Sequence, residues 1–160
     1  MSTITLYPSG ILFNVLDPEL WMFNIEDIAH ALSKECRYAN HIDSHLSVSE
    51  HSVGVCNRMT NGLKLPALLH DASEYVLKDL PKPIKMLLPD YQKLELRYQT
   101  LIYERFRCPL TSEQDYRTIK QADVAEYEAE QENNCMGKWT EVEAELRFLD
   151  TFERLIGERI

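Results

Sequence analysis

The sequence predicts a mostly helical fold with a short hairpin or extended segment at its N-terminus. Three observations predict it. Beyond residue 16, apolar residues recur at three- and four-residue spacing, the period of a helix with one buried face. Capping-box patterns, a Ser or Thr followed three residues later by Glu or Gln, occur at Ser47/Glu50, Thr111/Gln114 and Thr140/Glu143. The chain has 160 residues, 44% of them hydrophobic, with no internal repeat, low-complexity tract or linker, so residues 1–160 are read as one domain.

Residues 3–16 carry two extended pieces, ITLY and ILFNVL, around a Pro-Ser-Gly turn. Asn24 is a good N-cap for IEDIAHALSKEC, with Glu26 and Asp27 in the first turn, where they favour the helix dipole. Ile25, Ile28, Ala29 and Leu32 form its apolar face. RYANHIDSHL reads as a loop. Ser47 and Glu50 open SVSEHSVGVCNRM, which Gly62 is placed to end. Pro66 suits the first turn of a helix PALLHDASEYVL. Three prolines make DLPKPIKMLLPD loop or broken helix. A longer helix is predicted from Asp90 to Phe106, another from the Thr111 cap to about Asn133. The last is EVEAELRFLDTFERLI, where Val142, Leu146, Leu149 and Phe152 repeat at helical spacing and Gly157 lies near the end.

A net charge of -9 argues against tight binding to long nucleic acid, which rewards many Lys and Arg contacts. It leaves room for a small phosphate ligand, since a divalent cation and two or three basic side chains reverse the local field. The four cysteines, Cys36, Cys56, Cys108 and Cys135, form no CxxC pair and read as free thiols in a reducing compartment. No segment reaches the length of a membrane span, and MSTITLYPSG lacks the basic start of a signal peptide. A cytoplasmic protein with no membrane partner is the expectation.

The chemistry concentrates in LLHDASE, residues 68–74. A His-Asp pair inside an apolar helix is costly to bury unless both are satisfied, and a bound cation is one way to satisfy them. His70 and Glu74 are four apart, and Asp71 and Glu74 three, so one helix would present an imidazole and two carboxylates toward one point. His51 on the preceding helix and Asp123 on a later one complete a set of His51, His70, Asp71 and Asp123 from three helices. That mixture suits Zn, Co, Mn or Fe. The bland alternative is a buried His70–Asp71 hydrogen bond with no metal. His30 reads as a structural histidine, His41 and His45 as polar loop residues, Trp21 and Trp139 as packing residues. The acidic run EYEAEQE after Asp123 reads as a solvated helix face.

The order H…HD…D resembles the HD-domain phosphohydrolase superfamily. With IEDIAHALSKECRYANH, SVSEHSV, ALLHDASEYVLKDLPKPIK and LPDYQKLE, residues 20–130 resemble the small phage and prophage HD hydrolases. That group includes dATP triphosphohydrolases and is similar to bacterial HD-type 5′-deoxynucleotidases. The resemblance implies the compact helical HD-domain fold, a divalent metal on His51, His70, Asp71 and Asp123, and a small nucleotide substrate. It makes Glu74 the acid beside the attacking water and Asp79 a second acid near the nucleophile. Lys85 would reach substrate phosphates, Arg37 and Tyr38 the phosphate and sugar, and His41 would lie close by. A further Mg on the substrate phosphates and a homo-oligomeric assembly belong to the same picture. Where relatives often carry glycines after the Arg-aromatic pair, this chain has Ala39 and Asn40. Where an aromatic pair commonly precedes the SV segment, it has His45 and Leu46.

The activity implied is hydrolysis of deoxyribonucleotides. The leading expectation is a dATP-preferring triphosphohydrolase releasing deoxynucleoside and triphosphate. A 5′-deoxynucleotidase acting on monophosphates is the alternative within the same chemistry, and a non-catalytic nucleotide-binding regulatory module the alternative outside it. Each residue also has a bland reading: Glu74 as a solvated helix residue, Asp79 as a cap, Lys85 as surface charge, Arg37 as the partner of Glu35 or Glu26.

Overall fold

A computed structural model describes residues 2–108, 110 and 112–158. Eight α-helices follow a two-stranded antiparallel hairpin, β1 (Thr3–Thr5) and β2 (Leu12–Asn14), in which Ile4 faces Phe13. The helices are α1 (Ile25–Lys34), α2 (Val48–Asn57), α3 (Lys64–Leu68), α4 (Glu74–Leu77), α5 (Lys82–Lys85), α6 (Pro89–Arg105), α7 (Glu113–Glu132) and α8 (Glu141–Gly157). The all-α expectation, with its N-terminal hairpin, holds.

The hairpin belongs to the core. Phe13 is fully buried and meets Phe23 and Tyr98 edge-on, with ring centroids 5.4 and 5.5 Å away. The Tyr98 hydroxyl donates to the Val15 carbonyl at 2.6 Å. Asp27, predicted as a dipole-facing residue of the first turn, is buried and accepts from the Ser9 N–H at 2.9 Å and from the Ser9 hydroxyl. It thereby ties the hairpin turn to α1. Asn24 caps α1 as predicted, accepting from the Glu26 N–H at 2.8 Å, and Ile28, Ala29 and Leu32 are fully buried.

Several local expectations change. Ser47 caps α2, but the Glu50 carboxylate does not return to it; Glu50 is buried and accepts from the Lys138 N–H at 2.9 Å and the Trp139 N–H at 3.2 Å. It thus pins the segment before α8 onto α2. α2 stops at Asn57, ahead of Gly62. Thr111, the predicted cap of α7, lies outside the described residues; Ser112 and Asp115 form the capping box there. In α8 the buried stripe is Ala144, Phe148, Thr151 and Leu155, while Val142 and Leu146 are exposed. Ala144 and Phe148 are fully buried and lie on the side that faces inward. Trp139 packs on the core beneath the Arg147 guanidinium, whereas Trp21 is more than half exposed and is not a core residue.

The largest departure lies at the chemical motif. The predicted helix over residues 66–77 is two helices, α3 and α4, separated by a turn over residues 69–73. Three-residue hydrogen bonds, Ala72 N–H to the Leu69 carbonyl and Glu74 N–H to the Asp71 carbonyl, both 3.0 Å, replace the helical ladder. Gln99 of α6 spans the break: its Oε1 accepts from the Ser73 N–H at 3.1 Å and its Nε2 donates to the Leu69 carbonyl at 2.6 Å. The freed backbone groups are therefore satisfied from another helix.

Candidate metal centre

Among the described residues, one group of histidine and acidic side chains converges as a cation site requires: His51, His70, Asp71 and Asp123, each offering a ligand atom within 4.8 Å of the others. His51 comes from α2, His70 and Asp71 from the turn after α3, Asp123 from α7. The spacing logic that placed His70, Asp71 and Glu74 on one continuous helix face does not apply, because the helix breaks there. Neighbouring residues on a helix point roughly 100° apart, yet His70 Nε2 and Asp71 Oδ2 lie 3.0 Å from each other.

Three further edges are 3.1 Å from His51 Nε2 to Asp123 Oδ1, 3.8 Å from His51 Nε2 to Asp71 Oδ2, and 3.8 Å from His70 Nε2 to Asp123 Oδ1. Two ligand atoms roughly 2.1 Å from one cation and about 90–110° apart are about 3.0–3.5 Å from each other. The 3.0 and 3.1 Å edges lie in that range, and the two 3.8 Å edges would have to close by about 0.3 Å around a divalent ion. His70 Nδ1 faces the Ala67 carbonyl at 2.8 Å, which leaves Nε2 as the inward lone pair. That Nε2 is buried and has no aligned hydrogen-bond partner among the described residues, the state of an atom built to coordinate.

Electrostatics agree. Burial alone would lower His70, but the Asp71 and Asp123 carboxylates outweigh it and raise the imidazole to about 10. Burial would raise both carboxylates; the facing histidines hold Asp71 and Asp123 well below the usual carboxylate range. A concentrated negative field that draws protons draws a divalent cation in the same way.

Around this set the predicted acids and bases fall into place unevenly. Glu74 is 4% exposed, and its Oε2 has no hydrogen-bond partner. Burial first, then Asp71 and Asp79, push its carboxyl well above the ordinary value, partly offset by Lys85. It is not a solvated helix residue. Burial likewise raises Asp79, against the pull of Arg37. Asp79 caps no helix; its backbone N–H donates to Glu35 at 3.3 Å. Lys85 Nζ lies 3.6 Å from Glu74 Oε1 and bonds Glu95, so it is not free surface charge. Arg37 is buried, and its partner is neither Glu35 nor Glu26 but Glu130. His41 is exposed and, among the described residues, no contact joins its side chain to the cluster; its N–H closes a turn on the Tyr38 carbonyl. Tyr38, Ala39 and Asn40 all have positive φ, at 57°, 49° and 64°. Ala39 and Asn40 hold the left-handed backbone that glycine would take without strain. His30 is structural as expected, facing Glu145, and His45, read as a polar loop residue, faces the Ser33 carbonyl at 2.9 Å.

Glu130 is the residue the sequence reading missed. It sits in the acidic run read as a solvated face, yet it is 8% exposed, and His51 Nδ1 meets its Oε1 at 2.7 Å. The available signal was spacing: Asp123 and Glu130 are seven apart, two helical turns on one face of α7.

No protein-family model matches the chain. An uncharacterised protein of Rhodobacter capsulatus is 38% identical across 77% of this chain and 69% of its own length. The chain belongs to that protein's family. The uncharacterised protein YfdR of Escherichia coli is 39% identical over 53% of the chain and 48% of its own. Proteins of Yersinia pestis and Yersinia pseudotuberculosis named 5′-deoxynucleotidase are 36% identical over 49% of the chain and 56% of theirs. The chain thus spans about half the length of the Escherichia and Yersinia relatives. Among the described residues no helix is long and apolar enough to cross a membrane.

Proposed function

We propose that this chain is a divalent-metal-dependent phosphohydrolase of deoxyribonucleotides, of the HD-domain type its motifs resemble. The observation that carries the reading is the convergence of His51, His70, Asp71 and Asp123, with the buried His70 Nε2 turned toward both carboxylates. A cation held there supplies Lewis acidity toward a phosphoryl oxygen and acidifies water. The chain's own residues do the rest. Glu74, buried with one oxygen unbonded and its proton affinity raised, takes the proton of the attacking water. Asp79, its proton affinity also raised by burial, returns a proton to the leaving oxygen in this reading. Lys85 and Arg37 stay charged and hold phosphate oxygens against the negative charge of the transition state.

The relatives named 5′-deoxynucleotidase favour a nucleoside monophosphate as substrate. The dATP-preferring triphosphohydrolase reading rests on the phage-type resemblance of the sequence blocks alone and is kept as the alternative. Incubation with each dNMP and each dNTP, with Co²⁺, Mn²⁺ or Mg²⁺, separates them. Inorganic phosphate released from dNMPs is expected; triphosphate released from dATP supports the alternative. Asp71→Ala should abolish either. No release from any substrate with any metal overturns the proposal.

A further inference from the structure

Glu130 bonds both to a proposed metal ligand and to the Arg37–Tyr38 pair. Its Oε1 lies 2.7 Å from His51 Nδ1. Its Oε2 accepts from Arg37 Nε at 3.1 Å and from the Tyr38 hydroxyl at 2.7 Å, and Arg37 Nη2 lies 3.1 Å from it. Two groups that only donate here, a guanidinium and a phenol bonded toward one oxygen, keep the carboxylate ionised and fixed in orientation. An ionised carboxylate can only accept, so with a cation held between Nε2 and the Asp71 and Asp123 carboxylates the ring proton of His51 would sit on Nδ1 and the Nε2 lone pair would be left to the cation. Tyr38 is itself held in place, its ring 6.0 Å from that of Tyr127.

We propose that Glu130 is a positioning residue: Arg37 and Tyr38 orient its carboxylate, and the carboxylate sets the tautomer and ring direction in which His51 binds a cation. The inference rests on the reading that the four-residue set holds a metal. Carboxylates in this position strengthen a ligating imidazole, and their loss typically weakens metal binding about 10–100-fold.

The test is titration of the full chain with Co²⁺ alone, followed by visible absorption, with circular dichroism to verify folding. Glu130→Met removes the acceptor at similar volume, and Glu130→Ala is the second variant should Met misfold the chain. Either is expected to bind Co²⁺ about 10–100-fold more weakly, with a changed absorption envelope. Glu130→Gln loses the charge but keeps an oxygen that can accept from Nδ1–H. It is expected to bind about tenfold more tightly than Glu130→Met, with a spectrum close to wild type. Charge loss is common to both substitutions, so their difference isolates the acceptor. Equal affinity of wild type and Glu130→Met overturns the inference and leaves the metal reading standing, as does equal weakening in Met and Gln. Absence of Co²⁺ binding by the wild type overturns both.

Discussion

Replacing Gln99 by Leu removes the bridge across the break between α3 and α4 at nearly constant volume. The Leu69 carbonyl keeps a second partner, the Ala72 N–H at 3.0 Å. The Ser73 N–H has no such reserve: Gln99 Oε1 at 3.1 Å is its partner, and Ser73 is buried. A buried donor left unpaired costs about 1–3 kcal/mol, and the second lost bond adds about 1 kcal/mol, for a total of about 2–4 kcal/mol. For a chain of this size that lowers the melting temperature by about 5–12 °C. Because His70 and Asp71 sit within the spanned turn, Co²⁺ affinity should fall with stability. Urea unfolding read at an unchanged m-value gives the free energy, and Co²⁺ titration of the folded variant gives the second readout. A loss below about 0.5 kcal/mol with unaltered Co²⁺ affinity would refute the claim that Gln99 holds the ligand-bearing turn.

With Glu74 as the base, activity requires its ionised form, and burial raises its proton affinity; the acid limb of kcat/KM should therefore inflect above the ordinary carboxylate value and vanish with activity in Glu74→Gln. Burial would raise Glu130, but bonds from His51 and Arg37 hold it below its usual value. Its contribution to stability is thus present above the unfolded carboxylate value and lost as pH falls through the folded one, so wild type should lose stability in acid more steeply than Glu130→Gln in parallel urea series. At Gly137 an added Cβ would stand 1.7 Å from the His45 carbonyl oxygen, a backbone atom with little freedom to yield. Gly137→Ala should cost about 1–3 kcal/mol or more in thermal unfolding, by parting residues 136–138 from the loop beside α2.

Much of the fold was legible because its signals are local. Asn24, Ser47 and Thr140 cap the helices they were expected to cap, and the proline run of residues 81–89 falls where the helices are short or begin. The His and Asp set was legible because His70 and Asp71 stand out inside an apolar stretch, and the order of His51 before them and Asp123 after them matches the family they resemble. What stayed hidden depends on partners distant in sequence. The break at residues 69–73 is stabilised by an amide 26 to 30 positions away, and nothing in LLHDASE announces it. Glu130 looks like its acidic neighbours until α7 lies against α2 and brings it to Arg37, 93 positions earlier. In α8 the helical spacing of Val142, Leu146, Leu149 and Phe152 marked the helix, but only packing decides that Leu149 and Phe152 meet the core while Val142 and Leu146 stay exposed.

The source of the fourth ligand has its own consequence. The large apolar core joins the hairpin, α1, α2, α3, α6 and α8, while α7 meets α2 over a separate, smaller cluster of Val55, Ala67, Ile119 and Ala122. His51, His70 and Asp71 ride on elements anchored in the first; Asp123 rides on α7. A cation shared by all four would therefore cross-link two hydrophobic cores. It would tie down a helix otherwise held to its neighbours by a small apolar cluster and the bonds of Asp123, Glu126 and Glu130.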